Sequence, residues 1–226
     1  MRLKTFPWLG QEFVSLSWDG NGEGTVEDET RDIFVRFSER LQPFGLTLDH
    51  TVRSRMFVRD MDCWYSGVHE RAVILSGKAR SVSSSHIWPD RLSGKARIAV
   101  DLMAMFPPAS GDEKVFKEYD PPTIVLRRMN WGGLLFLSGV TDMTHTTFDE
   151  QFPVIIKRLT DTLADGGGSW DKVQRATFLL HHEEKLEHLR QSFAKAVSAR
   201  IPSLEYTFVG TRQGKRLEIE LTAKLA

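Results

Sequence analysis

"MNWGGLLFLSGVT", residues 129–141, restates a line near the start of the chain, "FPWLGQEFVSLSW", residues 6–18. At an offset of 123 residues, Trp131 falls on Trp8, Gly133 on Gly10, Phe136 on Phe13 and Ser138 on Ser15. Self-similarity at a long period marks a duplicated unit, and missing it misreads the whole fold. Downstream of the first line, Ile33, Phe34, Phe37 and Leu41 follow the spacing of one buried helix face. Ile155, Ile156, Leu159 and Leu163 repeat that spacing after the second line. Both helices run into glycine, at Gly45 and from Gly166, where a left-handed C-cap costs least. Strands rich in β-branched and aromatic residues come next, around Val52–Val58 and Val173–Leu180. A second helix follows in each half; in the later one Leu186, Leu189, Phe193 and Val197 form its stripe. Each half closes on a strand, "ARIAVDLMAM" and "RLEIELTAKL", the latter alternating Leu217, Ile219 and Leu221 with Glu218 and Glu220. Each half reads β-(β)-α-β-α-β-β. Residues 107–123 are the richest in proline and charge, which sets two expected domains at 1–112 and 113–226.

Composition bounds the function. A chain of 226 residues accommodates two domains that each bury a core. It carries 30 Lys plus Arg against 30 Asp plus Glu, so nothing supplies the long-range positive field that nucleic acid or an anionic membrane attracts. One cysteine, Cys63, forms no internal disulfide, and a buried thiol is the expectation for it. The start lacks an apolar leader core and no apolar run reaches membrane-spanning length, so cytoplasm is the expected location.

The later half resembles the RidA/YjgF family of reactive-intermediate imine deaminases, through "FLSGVT", the helix of Gln151 to Leu163, "GGGSWDKVQRATFLL" and "RLEIELTA". The earlier half resembles it more distantly, through "EFVSLSW", "FGLTLDHTVRSRMFVRDM", "GKARS" and "IAVDLMAM". The resemblance implies an α+β fold of two tandem chorismate-mutase-like domains, each a mostly antiparallel sheet with two helices packed on one face. It also implies a homotrimer with ligand clefts between domains, a small-molecule substrate, no cofactor and no metal. A dimer, or a monomer using its first half as a built-in partner, is the alternative assembly.

The resemblance also implies a site. A family arginine that binds a substrate carboxylate falls on Arg80, a Ser-Gly loop on Ser138 and Gly139, and a water-placing acid on Glu220, with Asp101 as its counterpart in the first half. Leu16 stands where the first half should have the loop glycine, and Leu204 where the second half should have the arginine. The halves are therefore expected to divide one site: Arg80 facing Ser138-Gly139, Glu220 or Asp101 placing water, and an inert apolar cleft between Leu204 and Leu16. A guanidinium fork grips a carboxylate in a way leucine cannot.

Other candidates are weaker. "HHEE", 181–184, contains metal-ligand residue types, but adjacent histidines at a helix start point apart. "SVSSSH" after Arg80 offers hydroxyls, and the insertion "HIWPDR" is placed to cover or reshape one cleft. The expected activity is hydrolysis or tautomerisation of a small carboxylate-bearing enamine or imine at an inter-domain cleft. The alternative is a non-catalytic small-molecule-binding or regulatory protein on the same scaffold. RNA cleavage is disfavoured by the charge balance and the lack of a basic-aromatic strip.

Overall fold

The computed structural model describes residues 2–210 and 214–225; Met1 and Ala226, the outer ends of the two expected domains, lie outside the described residues. The first half runs β1 (Arg2–Trp8), β2 (Gln11–Asp19), α1 (Val26–Leu41), β3 (Thr51–Val58), α2 (Met61–Ile74), β4 (Val82–Ile87) and β5 (Ile98–Met105). The second runs β6 (Val115–Lys117), β7 (Arg128–Trp131), β8 (Leu134–Leu137), β9 (Val140–Thr141), α3 (Phe148–Asp165), β10 (Val173–His181), α4 (Leu186–Ala196), β11 (Ser203–Val209) and β12 (Leu217–Lys224). The first sheet has the order β1-β2-β5-β3-β4, and the second β11-β10-β12-β8-β7-β6 with β9 also on β12. Read from β7, the second sheet is the first written again. In both, the parallel pair joins the third long strand to the strand after the second helix. Both also carry an irregularity at the same place, between Thr51 and Arg53 and between Val173 and Arg175.

Local chemistry fixes the helices. Thr25 with Asp28 and Thr147 with Glu150 form capping boxes that satisfy orphan amides at the starts of α1 and α3. Ile33, Phe34, Phe37 and Leu41 are buried against the first sheet, and Ile155, Leu159 and Leu163 against the second, with Ile156 partly covered. Gly45 is left-handed as expected, at φ 71°. After α3 the left-handed residue is Gly167, not Gly166, whose φ is −86°. Gly166 lacks a side chain for another reason: a Cβ there would lie 2.7 Å from both methyls of Leu135. α4 starts at Leu186, so His181–Glu184 forms a turn, and the His181 and His182 rings stack 4.3 Å apart instead of diverging. Among the described residues no helix is long and apolar enough to cross a membrane.

The sheet faces turned away from the helices meet each other. Phe13, Met103 and Met105 from the first half pack with Met129, Trp131, Leu134 and Phe136 from the second, so the halves share a third core. Strand pairing also fixes which residues correspond. Arg53 pairs with Val82 where Arg175 pairs with Ser203, so Arg80 corresponds to Ile201 and not to Leu204. Asp101 opposes Arg55 as Glu220 opposes Thr177, so those acids do correspond. Against the last strand of each sheet Ser15 pairs with Met103 and Phe136 with Thr222, which puts Phe136 on Ser15, whereas the hairpins, with Phe6 opposite Phe13 and Met129 opposite Phe136, keep it on Phe13. The repeat offset therefore holds through the hairpins and slips by two residues against the last strand.

The strand after that turn also differs. Thr222 pairs with Phe136 and Ile219 with Val140, so Leu221 and Glu220 face three residues: Leu137, Ser138 and Gly139. The straight β2 has no such extra residue, since Ser15 through Trp18 pair one-to-one with Met103 through Val100. Ser138-Gly139 is a bulge. Leu16, opposite Leu102, corresponds to Leu137 and lies wholly buried on the helix side of its sheet.

Candidate functional site

The bulge is held by the other half of the chain. The Ser83 amide on β4 donates to Ser138 Oγ at 3.0 Å, and the Gly139 amide donates to the Ser83 carbonyl at 3.2 Å. The edge of the first sheet is thus docked on the Ser-Gly bulge of the second. Arg71 on α2 supports β4 from behind, donating to the Ser84 carbonyl at 2.7 Å and to Ser85 Oγ at 2.9 Å.

This seam opens into a cleft of about 190 Å³ lined by Ser83, Ser85, Gly139, Thr141, Lys215 and Glu218, among others. Glu218 and Lys215 form a buried ion pair at its wall. Burial raises the Glu218 pKa above its ordinary value, with Lys215 opposing. A Cβ at Gly139 would overlap Glu218 Oε1, so any side chain here would displace the carboxylate. The close approach of carboxylate and backbone, not a left-handed φ, is what the residue provides.

Arg80 leads into β4 but its guanidinium is already occupied. Nε and Nη2 form a fork on Glu118 at 2.6 and 2.7 Å, and the carbonyls of Thr123 and Ile124 accept further bonds at 3.2 and 3.3 Å. All these partners come from the segment joining β6 to β7. The fork a substrate carboxylate would use is filled from within the chain.

Glu220 has a different setting from a water-placing acid. It is buried, and Oε2 meets Arg53 Nη1 at 2.8 Å and Arg55 Nη2 at 2.7 Å, while Oε1 accepts from Ser84 Oγ at 2.5 Å. Burial alone would raise its pKa; the charges of Arg53 and Arg55, with bonds from Arg55 and Ser84, outweigh that and hold it well below the usual carboxylate range. With both oxygens engaged and no affinity for a proton near neutrality, Glu220 acts as the counter-ion of buried Arg53 and partly buried Arg55. Glu218, two residues earlier on the same strand face, is the acid that reaches the seam cleft.

Asp101 lies apart from the seam, in a second cleft of about 410 Å³ on the open face of the first sheet. There it pairs with Arg91 at 3.1 Å. Arg91 belongs to the inserted "HIWPDR", which does shape a cleft: it also bonds Asp19 and Ser17, at 2.7 and 2.9 Å. Among the described residues of the chain, Leu16 and Leu204 do not line a common cleft. Leu16 is core, and Leu204 is 41% exposed on the edge strand β11. Cys63 is buried near the start of α2, and burial, with Asp60 beside it, pushes its thiol up to about 11, which leaves it a poor nucleophile. The described residues contain no group of three or more His, Cys, Asp and Glu side chains arranged to hold a metal.

Inspection of the residues alone overlooked Glu218, Lys215, Arg53 and Arg55. A signal existed for three of them. "LEIE" places two acids on one strand face, and "TVRSRMFV" sets two arginines at alternate positions of an otherwise apolar strand.

Comparison with known proteins shows a likeness of fold. No protein-family model and no curated protein sequence matches the chain. A chorismatase crystal structure superposes with a TM-score of 0.66 at 15% identity, over 94% of this chain and 74% of that one. A YjgF-family member from Mycobacterium tuberculosis matches 50% of this chain over 99% of its own, at 17% identity and a TM-score of 0.45. RidA from a Psychrobacter species covers 48% of this chain over 93% of its own, at 17% identity and a TM-score of 0.43. These are likenesses of fold. The chain is a tandem α+β protein with the same strand order in each half, and its fold is that of the chorismatase structure.

Proposed function

We propose that the chain acts on a small carboxylate-bearing molecule in the seam cleft, as an enamine or imine deaminase or a related hydrolase or tautomerase. The observation that carries this is Glu218, a buried acid with a raised pKa packed over Gly139 at the junction of the two halves. Such an acid can exchange a proton near working pH. In the reaction, Glu218 takes a proton from water as the oxygen adds to the carbon of a protonated C=N group, giving a neutral carbinolamine. It returns that proton to nitrogen, and as the C–N bond breaks the carbinolamine hydroxyl passes its proton to the departing ammonia, leaving the carbonyl product and ammonium. Lys215 balances the carboxylate, and the hydroxyls of Ser85 and Thr141 orient polar substrate atoms. Arg80 grips the substrate carboxylate once Glu118 gives way. Asp101 and Glu220 support the fold of the site from outside the reacting atoms.

Ammonia release from 2-aminoacrylate or 2-iminobutanoate tests the reading. Activity should depend on an ionised group with an apparent pKa above the ordinary glutamate value of 4.5, rising with pH through it. Glu218→Gln should lower turnover by about 100-fold or more. Full activity in that variant would refute the assignment.

A second reading, a non-catalytic binding protein, is favoured by the occupied Arg80 fork; binding of the same acids without ammonia release would establish it. We place the protein in the cytoplasm and expect a homotrimer, which light scattering at micromolar concentration would test.

A further inference from the structure

The second cleft has a chemistry the seam reaction does not use. β1 brings Arg2 and Lys4 to one face of the sheet, β3 brings Arg53 and Arg55, the turn before Leu92 brings Arg91, and β10 of the other half brings Arg175. Carboxylates answer only some of these charges. Glu220 serves Arg53 and Arg55, Asp19 and Asp101 serve Arg91, and Glu205 lies 3.8 Å from Arg175. Six cations against four anions leave two positive charges in a chain whose net charge is zero. The excess has an address: Arg2 and Lys4 form no ion pair among the described residues, and both are exposed.

Arg53 points the same way. It is 4% exposed, lines the cleft, and its Nε has no hydrogen-bond partner. Burial pulls its pKa down to about 10 against the pull of Glu220, with Arg55 and Arg175 adding to the effect. A guanidinium in that state gains from a further anion. Ser15 and Ser17 add hydroxyls to the same wall. A volume of about 410 Å³ suits a metabolite-sized ligand.

We propose that this cationic cleft binds a small dianion, a dicarboxylate or a phosphate monoester, at a site separate from the seam. The two unanswered charges set the ligand charge, and guanidinium forks suit either oxyanion. Asp101, also on the wall, disfavours a third negative charge and can accept a hydrogen bond from a ligand hydroxyl.

Thermal shift and calorimetry on the full chain at low ionic strength, with succinate, inorganic phosphate and acetate as probes, test the proposal. Succinate or phosphate should bind at least about tenfold more tightly than acetate, and weaken as salt screens the cleft. The preferred probe separates a carboxylate ligand from a phosphate one. The double variant Arg2→Ala/Lys4→Ala, at two exposed strand positions, should lose about tenfold in dianion affinity while its unliganded melting temperature holds. Glu218→Gln should bind the dianion as the parent does. Equal affinity for succinate and acetate, or unchanged binding in the double variant, would overturn the site. So would an RNA oligonucleotide that binds there and resists displacement by succinate.

Discussion

At the scale of single residues, the contrast between Glu218 and Glu220 organises the chemistry. Both are buried on one face of β12, yet their surroundings push their pKa values in opposite directions. Glu220→Gln should destabilise the protein by about 3–5 kcal/mol at neutral pH, because it strands the buried Arg53 and the partly buried Arg55. The pH dependence has a definite sign. Glu220 is depressed in the folded state, so its contribution is present above its unfolded value near 4.5 and is lost as pH falls through that value towards the folded one. The parent should therefore lose stability below about pH 4.5 by a term that Glu220→Gln lacks. Glu218, raised when folded, contributes the opposite slope. Urea titrations of both proteins across the acid range measure the difference. Glu118→Gln tests the Arg80 fork. If Arg80 receives substrate, loosening its internal partner should lower KM by up to about fivefold, given that rim ion pairs are worth up to about 1 kcal/mol. If Arg80 is only structural, KM should stay and only melting temperature should fall.

At the scale of elements, much of the fold was legible, because helix and strand periodicities accumulate over many residues. Ile33, Phe34, Phe37 and Leu41 mark α1 as clearly as Ile155, Leu159 and Leu163 mark α3. Thr147→Ala should cost α3 about 1 kcal/mol through its lost cap, and chemical denaturation would show it. The site was less legible for a physical reason. A two-residue slip leaves every side chain on its original face, so the match of Phe136 to Phe13 holds in the hairpin while the partner on the last strand differs. The single extra residue at Ser138-Gly139 is visible only in cross-strand partners, and so the first half's lack of the loop was placed at Leu16, whereas β2 runs straight and has no bulge at all. Likewise, nothing in "GKARS" announces that Glu118 will fill its arginine. Gly139→Ala should push Glu218 out of place and cost about 1–3 kcal/mol, with turnover falling alongside stability. Retained turnover would uncouple the bulge from the reaction.

At the scale of the whole molecule, the halves share a core and a buried charge cluster, so neither is expected to persist alone. Residues 1–112 expressed separately would expose Phe13, Met103 and Met105, and leave Arg53 and Arg55 without Glu220. Such a fragment should aggregate or bind a fluorescent apolar dye, while co-expression with the second half should restore a cooperative transition.

The docking of β4 on the Ser138-Gly139 bulge has a geometric corollary. One half offers an edge and the other a receptor, so the contact is head-to-tail and lacks a two-fold axis. Among the described residues no hydrogen bond joins β11 back to β2, and β11 keeps Leu204 and Phe208 exposed along its length. Head-to-tail contacts are satisfied only by a closed cycle or an endless one. A chain with two units is an arc: it ends in a spare donor edge at β11 and a spare acceptor margin at β2. Whatever meets those two ends decides whether the arc becomes a ring.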